Sequence, residues 1–261
     1  MAISPSPTPL LVFDFDGVLV DGMAEYWWSS RRAALRLDPS LCLPEQAPAG
    51  FLQLRPLIHK GWEMVLVAAE LGRPDLDLAA LLQDYAASLA PTLERRGWRA
   101  PQLQQALEQV RSEAIANDRQ AWLALHRFYP GVPERLRRLA LEGADWAVLT
   151  TKGGAFAAEL LAAAALEPRA VYGHEQGSKP DVLLRLRAEV ASIGFLEDRR
   201  PTLEQVRATP GLEAVVCLLV SWGYLGPDDA CALPQGIDLL TPESFAAPLA
   251  RWPGFATVRP Y

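Results

Sequence analysis

Residues 10–22 read LLVFDFDGVLVDG, an apolar run that ends in Asp14 and Asp16, two carboxylates one residue apart. Large apolar residues in unbroken succession are the pattern of a strand covered on both faces in a parallel sheet. Burying charge is costly, so carboxylates fixed to the end of such a strand point to chemistry. Gly17 follows them and suits a tight turn whose backbone N–H groups can approach an anion.

Outward from this strand the texture changes twice. From about residue 23 to 128 strand signals nearly vanish. FLQLRPLIHKGWEMVLVAAELG puts Phe51, Leu54, Ile58, Trp62 and Val65 at helical spacing, closed by Gly72. LDLAALLQDYAASLA repeats the spacing with Leu78, Leu81, Tyr85 and Leu89, and QLQQALEQVRSEAIA with Leu103, Leu107 and Val110. These segments are amphipathic, so they should pack as a bundle.

After YPGVPERLRRLALEGADW, strand-like and helical runs alternate: WAVLT (146–150), a helix over about 154–165, AVYG (170–173) and a helix over about 180–190. SIGFLED (192–198), another helix, AVVCLLV (214–220) and IDLL (237–240) complete the series. Such alternation marks βαβ units and a parallel sheet. The expected fold class is α/β, with a core domain in residues 1–22 and 129–261 and an inserted all-helical domain in 23–128. Residues 1–9, rich in proline and serine, should be a loose tail.

Composition narrows the function. Of 261 residues half are hydrophobic and 21% charged, enough apolar content for a packed core. The formal charge is −6 and no Lys/Arg block stands out, which argues against nucleic acid or an anionic membrane as partner. A local metal ion or a few N–H groups can still hold phosphate. Cys42, Cys217 and Cys231 form neither a C-x-x-C motif nor a disulfide framework. The start, MAISPSPTPLLVF, lacks the charged and long apolar regions of a signal peptide, and no run reaches 18 apolar residues. The expectation is a soluble, cytoplasmic protein.

In open parallel sheets ligands sit beyond the carboxyl ends of the strands. The residues there are Asp14 and Asp16, then Thr150 and Thr151 with Lys152, then Glu197 and Asp198, while Lys179 in GSKPD precedes a helix. Carboxylates, hydroxyls and an ammonium on one edge are the parts needed to move a phosphoryl group. Asp14 can attack phosphorus, and Asp16 can protonate the leaving oxygen and later activate water. Mg²⁺ prefers oxygen ligands, and Asp14 with Asp198 supplies them. Thr150 and Lys179 would bind phosphoryl oxygens, with Thr151 beside them.

These stretches resemble the motifs of the haloacid dehalogenase superfamily of phosphohydrolases. DFDGVLVD matches its first motif, VLTTK its second, GSKPD its third and FLEDR a variant of its fourth. The resemblance implies a Rossmann-like core, Asp14 as nucleophile and Asp16 as general acid/base. It also implies Mg²⁺ held by Asp14, Asp198 and the backbone carbonyl of Asp16. The helical insert looks like the family's C1-type cap, as in phosphoglycolate-phosphatase-like members. At the fourth motif the chain departs from the common spacing: Glu197 and Asp198 are adjacent, which leaves Asp198 as the favoured ligand with Glu197 assisting through water. Thr202 reads as a helix N-cap paired with Gln205.

Within the insert, Arg55, His59 and Glu63 fall at i, i+4 and i+8, and Arg55 would suit an anionic substrate. The expected activity is a Mg²⁺-dependent phosphatase acting on a small phosphorylated metabolite. A phosphomutase and a silent binding protein of the same fold are the alternatives.

Overall fold

The computed structural model describes residues 8–255. The loose tail expected for residues 1–9 therefore lies, up to residue 7, outside the described residues. The chain divides into two units, one formed by the chain up to Asp21 and from Phe128 onward, the other by Gly22–Arg127.

The Gly22–Arg127 unit is helical: α1 (Met23–Leu37), α2 (Ala49–Leu54), α3 (Gly61–Leu71), α4 (Leu78–Gln83), α5 (Tyr85–Arg96) and α6 (Ala100–Leu123). Helices α1, α3 and α6 pack on one another. Ala33 and Ala34 of α1 and Leu103 and Leu107 of α6 are fully buried. A buried pair ties α1 to α6, with Arg111 donating to both carboxylate oxygens of Glu25 at 2.7 Å.

The periodicity of residues 51–65 predicts one helix, but the structure breaks it. Helix α2 ends at Leu54, Arg55–Leu57 form a 3-10 turn, and α3 starts only at Gly61. The cause is Pro56, which cannot donate to a preceding carbonyl and whose ring crowds the turn before it. Arg55, His59 and Glu63 therefore do not share a helix face. Glu63 instead accepts from the His59 N–H at 2.9 Å and from the Tyr85 hydroxyl at 2.9 Å, closing the start of α3. A similar break at Asp84 separates α4 from α5, and Asp118 kinks α6 with φ −152° and ψ 82°.

The other unit holds a six-stranded sheet of β1 (Leu10–Phe13), β2 (Asp145–Leu149), β3 (Val171–Tyr172), β4 (Ile193–Glu197), β5 (Val216–Val220) and β6 (Ile237–Leu240). Its order is β3-β2-β1-β4-β5-β6, with every pairing parallel. All four residues of β1 are fully buried, as a central strand covered on both faces must be. Between and after the strands run α7 (Val132–Leu139), α8 (Gly154–Ala163), α9 (Lys179–Arg187), α10 (Arg200–Ala208) and α11 (Pro242–Ala246). Leu10 and Val12 of β1 pack with Phe195 of β4, Cys217 of β5, Val182 and Leu186 of α9 and Leu203 of α10 in one continuous core.

Thr202 is not an N-cap. Helix α10 begins at Arg200 with Arg199 as its cap, and Pro201 occupies the first turn, where its missing N–H costs nothing.

Candidate active site

Strands β2 and β4 flank β1 in parallel, Phe13 standing level with Val148 on one side and Leu196 on the other. The residues that follow each strand therefore emerge on the same sheet edge. They are Asp14 and Asp16 after β1, Thr150 and Lys152 after β2, and Glu197 at the end of β4 with Asp198 next. Lys179 joins them as the first residue of α9. That helix is started by the Ser178 side chain, which accepts from the Asp181 N–H at 3.3 Å, and by Pro180 in the first turn.

Here charge is packed densely and almost without solvent: Glu197 and Asp198 are each 1% exposed, Asp14 6% and Lys179 9%. The Lys179 ammonium lies 2.9 Å from Asp14 Oδ1 and 2.6 Å from Glu197 Oε2. Burial alone would lower the pKa of this ammonium, but the Asp14 and Glu197 charges outweigh it and raise it. Burial, with the Asp14 and Asp198 carboxylates adding to it, pushes the Glu197 carboxyl up to about 8 against the pull of Lys179. Its second oxygen, Oε1, is buried and accepts no hydrogen bond among the described residues. Thr150 accepts from the Lys152 N–H at 3.0 Å through its hydroxyl oxygen, leaving the hydroxyl proton for another acceptor. Lys152 Nζ stands 3.3 Å from Asp16 Oδ1.

A segment after β5 holds this arrangement together, and reading the first, second and fourth strand ends alone misses it. The Tyr224 N–H donates to Asp198 Oδ2 at 2.8 Å, the Tyr224 hydroxyl to Asp21 Oδ1 at 2.8 Å, and Trp222 Nε1 to the Val18 carbonyl at 3.0 Å. The close approach is made by two glycines. A Cβ on Gly17, whose φ is +92°, would fall 1.9 Å from Asp198 Oδ2, and one on Gly223 2.5 Å from the Gly17 carbonyl oxygen. The signal in the sequence was SWGY directly after the apolar run VCLLV, a strand end like the others.

Two further candidates are Thr151 and Arg55. Thr151 is exposed, and none of the hydrogen bonds and ion pairs just described involves it. Arg55 belongs to the helical unit, where it is buried with its guanidinium 4.8 Å above the Tyr26 ring.

The acidic residues fit a divalent cation. Asp14, Glu197 and Asp198 each offer an oxygen within 4.8 Å of the others, and Glu197 carries a buried oxygen, Oε1, that accepts no hydrogen bond among the described residues. A set of hard oxygen donors suits Mg²⁺.

No protein-family model matches the chain, and no curated protein sequence does. Solved structures do. A predicted phosphoglycolate phosphatase from Haemophilus somnus superposes with a TM-score of 0.55 at 21% identity, covering 92% of this chain and 95% of that one. A haloacid dehalogenase-like family hydrolase from Streptococcus pneumoniae gives 0.53 at 16% identity, over 89% and 93%. A β-phosphoglucomutase candidate from Thermotoga maritima gives 0.53 at 18% identity, over 92% and 97%. The chain therefore has the α/β fold shared by haloacid dehalogenase-like phosphatases and phosphomutases.

Proposed function

We propose that this protein is a Mg²⁺-dependent phosphatase that hydrolyses a small phosphate monoester through an aspartyl-phosphate on Asp14. The observation that carries the reading is Asp14 at the end of the central strand, salt-bridged to Lys179 and grouped with Glu197 and Asp198. Asp14 attacks phosphorus, and Asp16 gives its proton to the departing ester oxygen. Water, deprotonated by Asp16, then attacks the phosphoryl group and releases inorganic phosphate and the Asp14 carboxylate. Thr150 and Lys179 hold phosphoryl oxygens, the ammonium passing from Asp14 to the substrate as charge develops there. Gly17 leaves backbone N–H groups close to the same oxygens. Asp14, Asp198 and the Asp16 carbonyl, with Glu197 behind them, would hold Mg²⁺, which when bound supplies positive charge to the phosphoryl group. The partner is a small anionic metabolite, neither nucleic acid nor membrane. Among the described residues no helix is long and apolar enough to cross a bilayer. Free thiols at exposed Cys42 and Cys231 suit a reducing, cytoplasmic compartment.

The test is phosphate release from a panel of small phosphate esters, with Mg²⁺ or EDTA. Metal-dependent release by the wild type, lost in a folded Asp14→Asn variant, is the expected result. Substantial turnover by that variant would remove Asp14 as nucleophile. Isomerised ester without phosphate release would make the protein a mutase.

A further inference from the structure

We infer that Lys152 is a positioning residue for Asp16, its ammonium orienting that carboxylate for both proton transfers of the reaction. The inference rests on the phosphatase reading above and concerns a residue that reading leaves without a task.

Two lysines serve two aspartates at this sheet edge. Lys179 reaches Asp14 from the start of α9, and Lys152 reaches Asp16 from the loop after β2. The Lys152 side chain is 2% exposed, a costly place for an ammonium unless a counter-charge is fixed beside it. Its backbone is held on both sides: the N–H donates to Thr150 Oγ1 at 3.0 Å, and the carbonyl accepts from the His174 N–H at 3.2 Å. Asp16 Oδ1 is buried, accepts no hydrogen bond among the described residues, and faces Lys152 Nζ at 3.3 Å. A carboxylate tethered at one oxygen has its plane defined and its other oxygen aimed. Without the tether, Asp16 could rotate about its own side-chain bonds, and proton transfer depends on reach and angle.

Both steps draw on that orientation. In the first, the Asp14–phosphorus bond forms, the phosphorus–ester bond breaks, and the Asp16 proton goes to the leaving oxygen as an alcohol departs. In the second, water adds to phosphorus, its proton returns to Asp16, and the Asp14–phosphorus bond breaks to give inorganic phosphate.

A Lys152→Met variant should therefore lose first-step rate, read as alcohol release in a single turnover, according to the leaving group. An alkyl phosphate, whose oxygen needs the proton, should slow by about 10- to 100-fold. p-Nitrophenyl phosphate, whose oxygen leaves as an anion, should slow far less in its first step, and KM should stay within about threefold for both. Lys152→Arg should recover most of the loss. In a double-mutant cycle Lys152→Met should add nothing to Asp16→Asn, because a positioning residue has no effect once its client is gone. Equal losses of the first-step rate on both esters, additive effects with Asp16→Asn, or a raised KM at unchanged kcat would each overturn the inference, the last by making Lys152 a substrate contact. Should Lys152→Met not fold, Lys152→Gln carries the same predictions. An active wild type with a fully active Lys152→Met sinks this inference alone; a wild type that releases no phosphate from any ester sinks the phosphatase reading and the inference with it.

Discussion

A buried carboxylate needs partners for both oxygens, and Glu197 has one, the Lys179 ammonium on Oε2. With its pKa raised to about 8 from an ordinary value of 4.5, Glu197 binds a proton in the folded state that the unfolded chain releases. Metal-free protein should accordingly lose stability as pH rises through that interval, because the native state binds the extra proton there. Thermal melts between pH 5 and pH 8.5 in EDTA read this directly, and Glu197→Gln should flatten the trend while Mg²⁺ opposes it. Asp198, by contrast, has one oxygen fixed by the Tyr224 N–H, which orients the whole carboxylate. Calorimetry should find Mg²⁺ affinity reduced about tenfold by Glu197→Gln and more severely by Asp198→Asn; the opposite ranking would reassign the direct ligand. Asp14, Thr150, Lys179, Glu197 and Asp198 were readable because each stands at a strand end or helix start that hydrophobic patterning locates. The hold of Tyr224 on Asp198 was not, since it is made by a backbone N–H, which has no signature in residue type. Nor was the pairing of Lys152 with Asp16, which depends on how two loops fold back toward each other.

At the scale of elements, strands were more legible than helices. Unbroken runs such as LLVF and VCLLV mark strands buried on both faces, and five of the six sheet strands sit within the runs that announce them, β2 starting one residue early at Asp145. Helical periodicity in residues 51–65 survives on paper across Pro56, yet one missing N–H and a ring clash end the helix there. Strand burial also has a chemical consequence at Cys217. Desolvation in β5 pushes its thiol up to about 11, while Cys42 and Cys231 are exposed. A thiol-reactive dye at pH 8 should label two cysteines in the native protein and all three in denaturant. Rapid native labelling of the third would mean that β5 opens readily.

On the scale of the whole molecule, the described residues hold a core around β1 and another among α1, α3 and α6. Leu107→Ala should remove about 2–5 kcal/mol from the helical core. Hydrogen exchange followed by mass spectrometry should show faster exchange over Gly22–Arg127, with protection in β1 and β4 unchanged; a uniform rise over the chain would mean that the two units unfold as one. The insertion leaves a further mark on β1. Strand β1 leaves the ribosome well ahead of its sheet partners, which begin only at Asp145 and Ile193. During synthesis, at roughly 5–20 residues per second, an apolar segment without neighbours must wait while the helical unit, whose contacts are closer in sequence, is completed ahead of it. The aspartate at the heart of the proposed chemistry thus rides on a stretch of nascent chain that stays exposed to chaperones and to aggregation until those partners arrive.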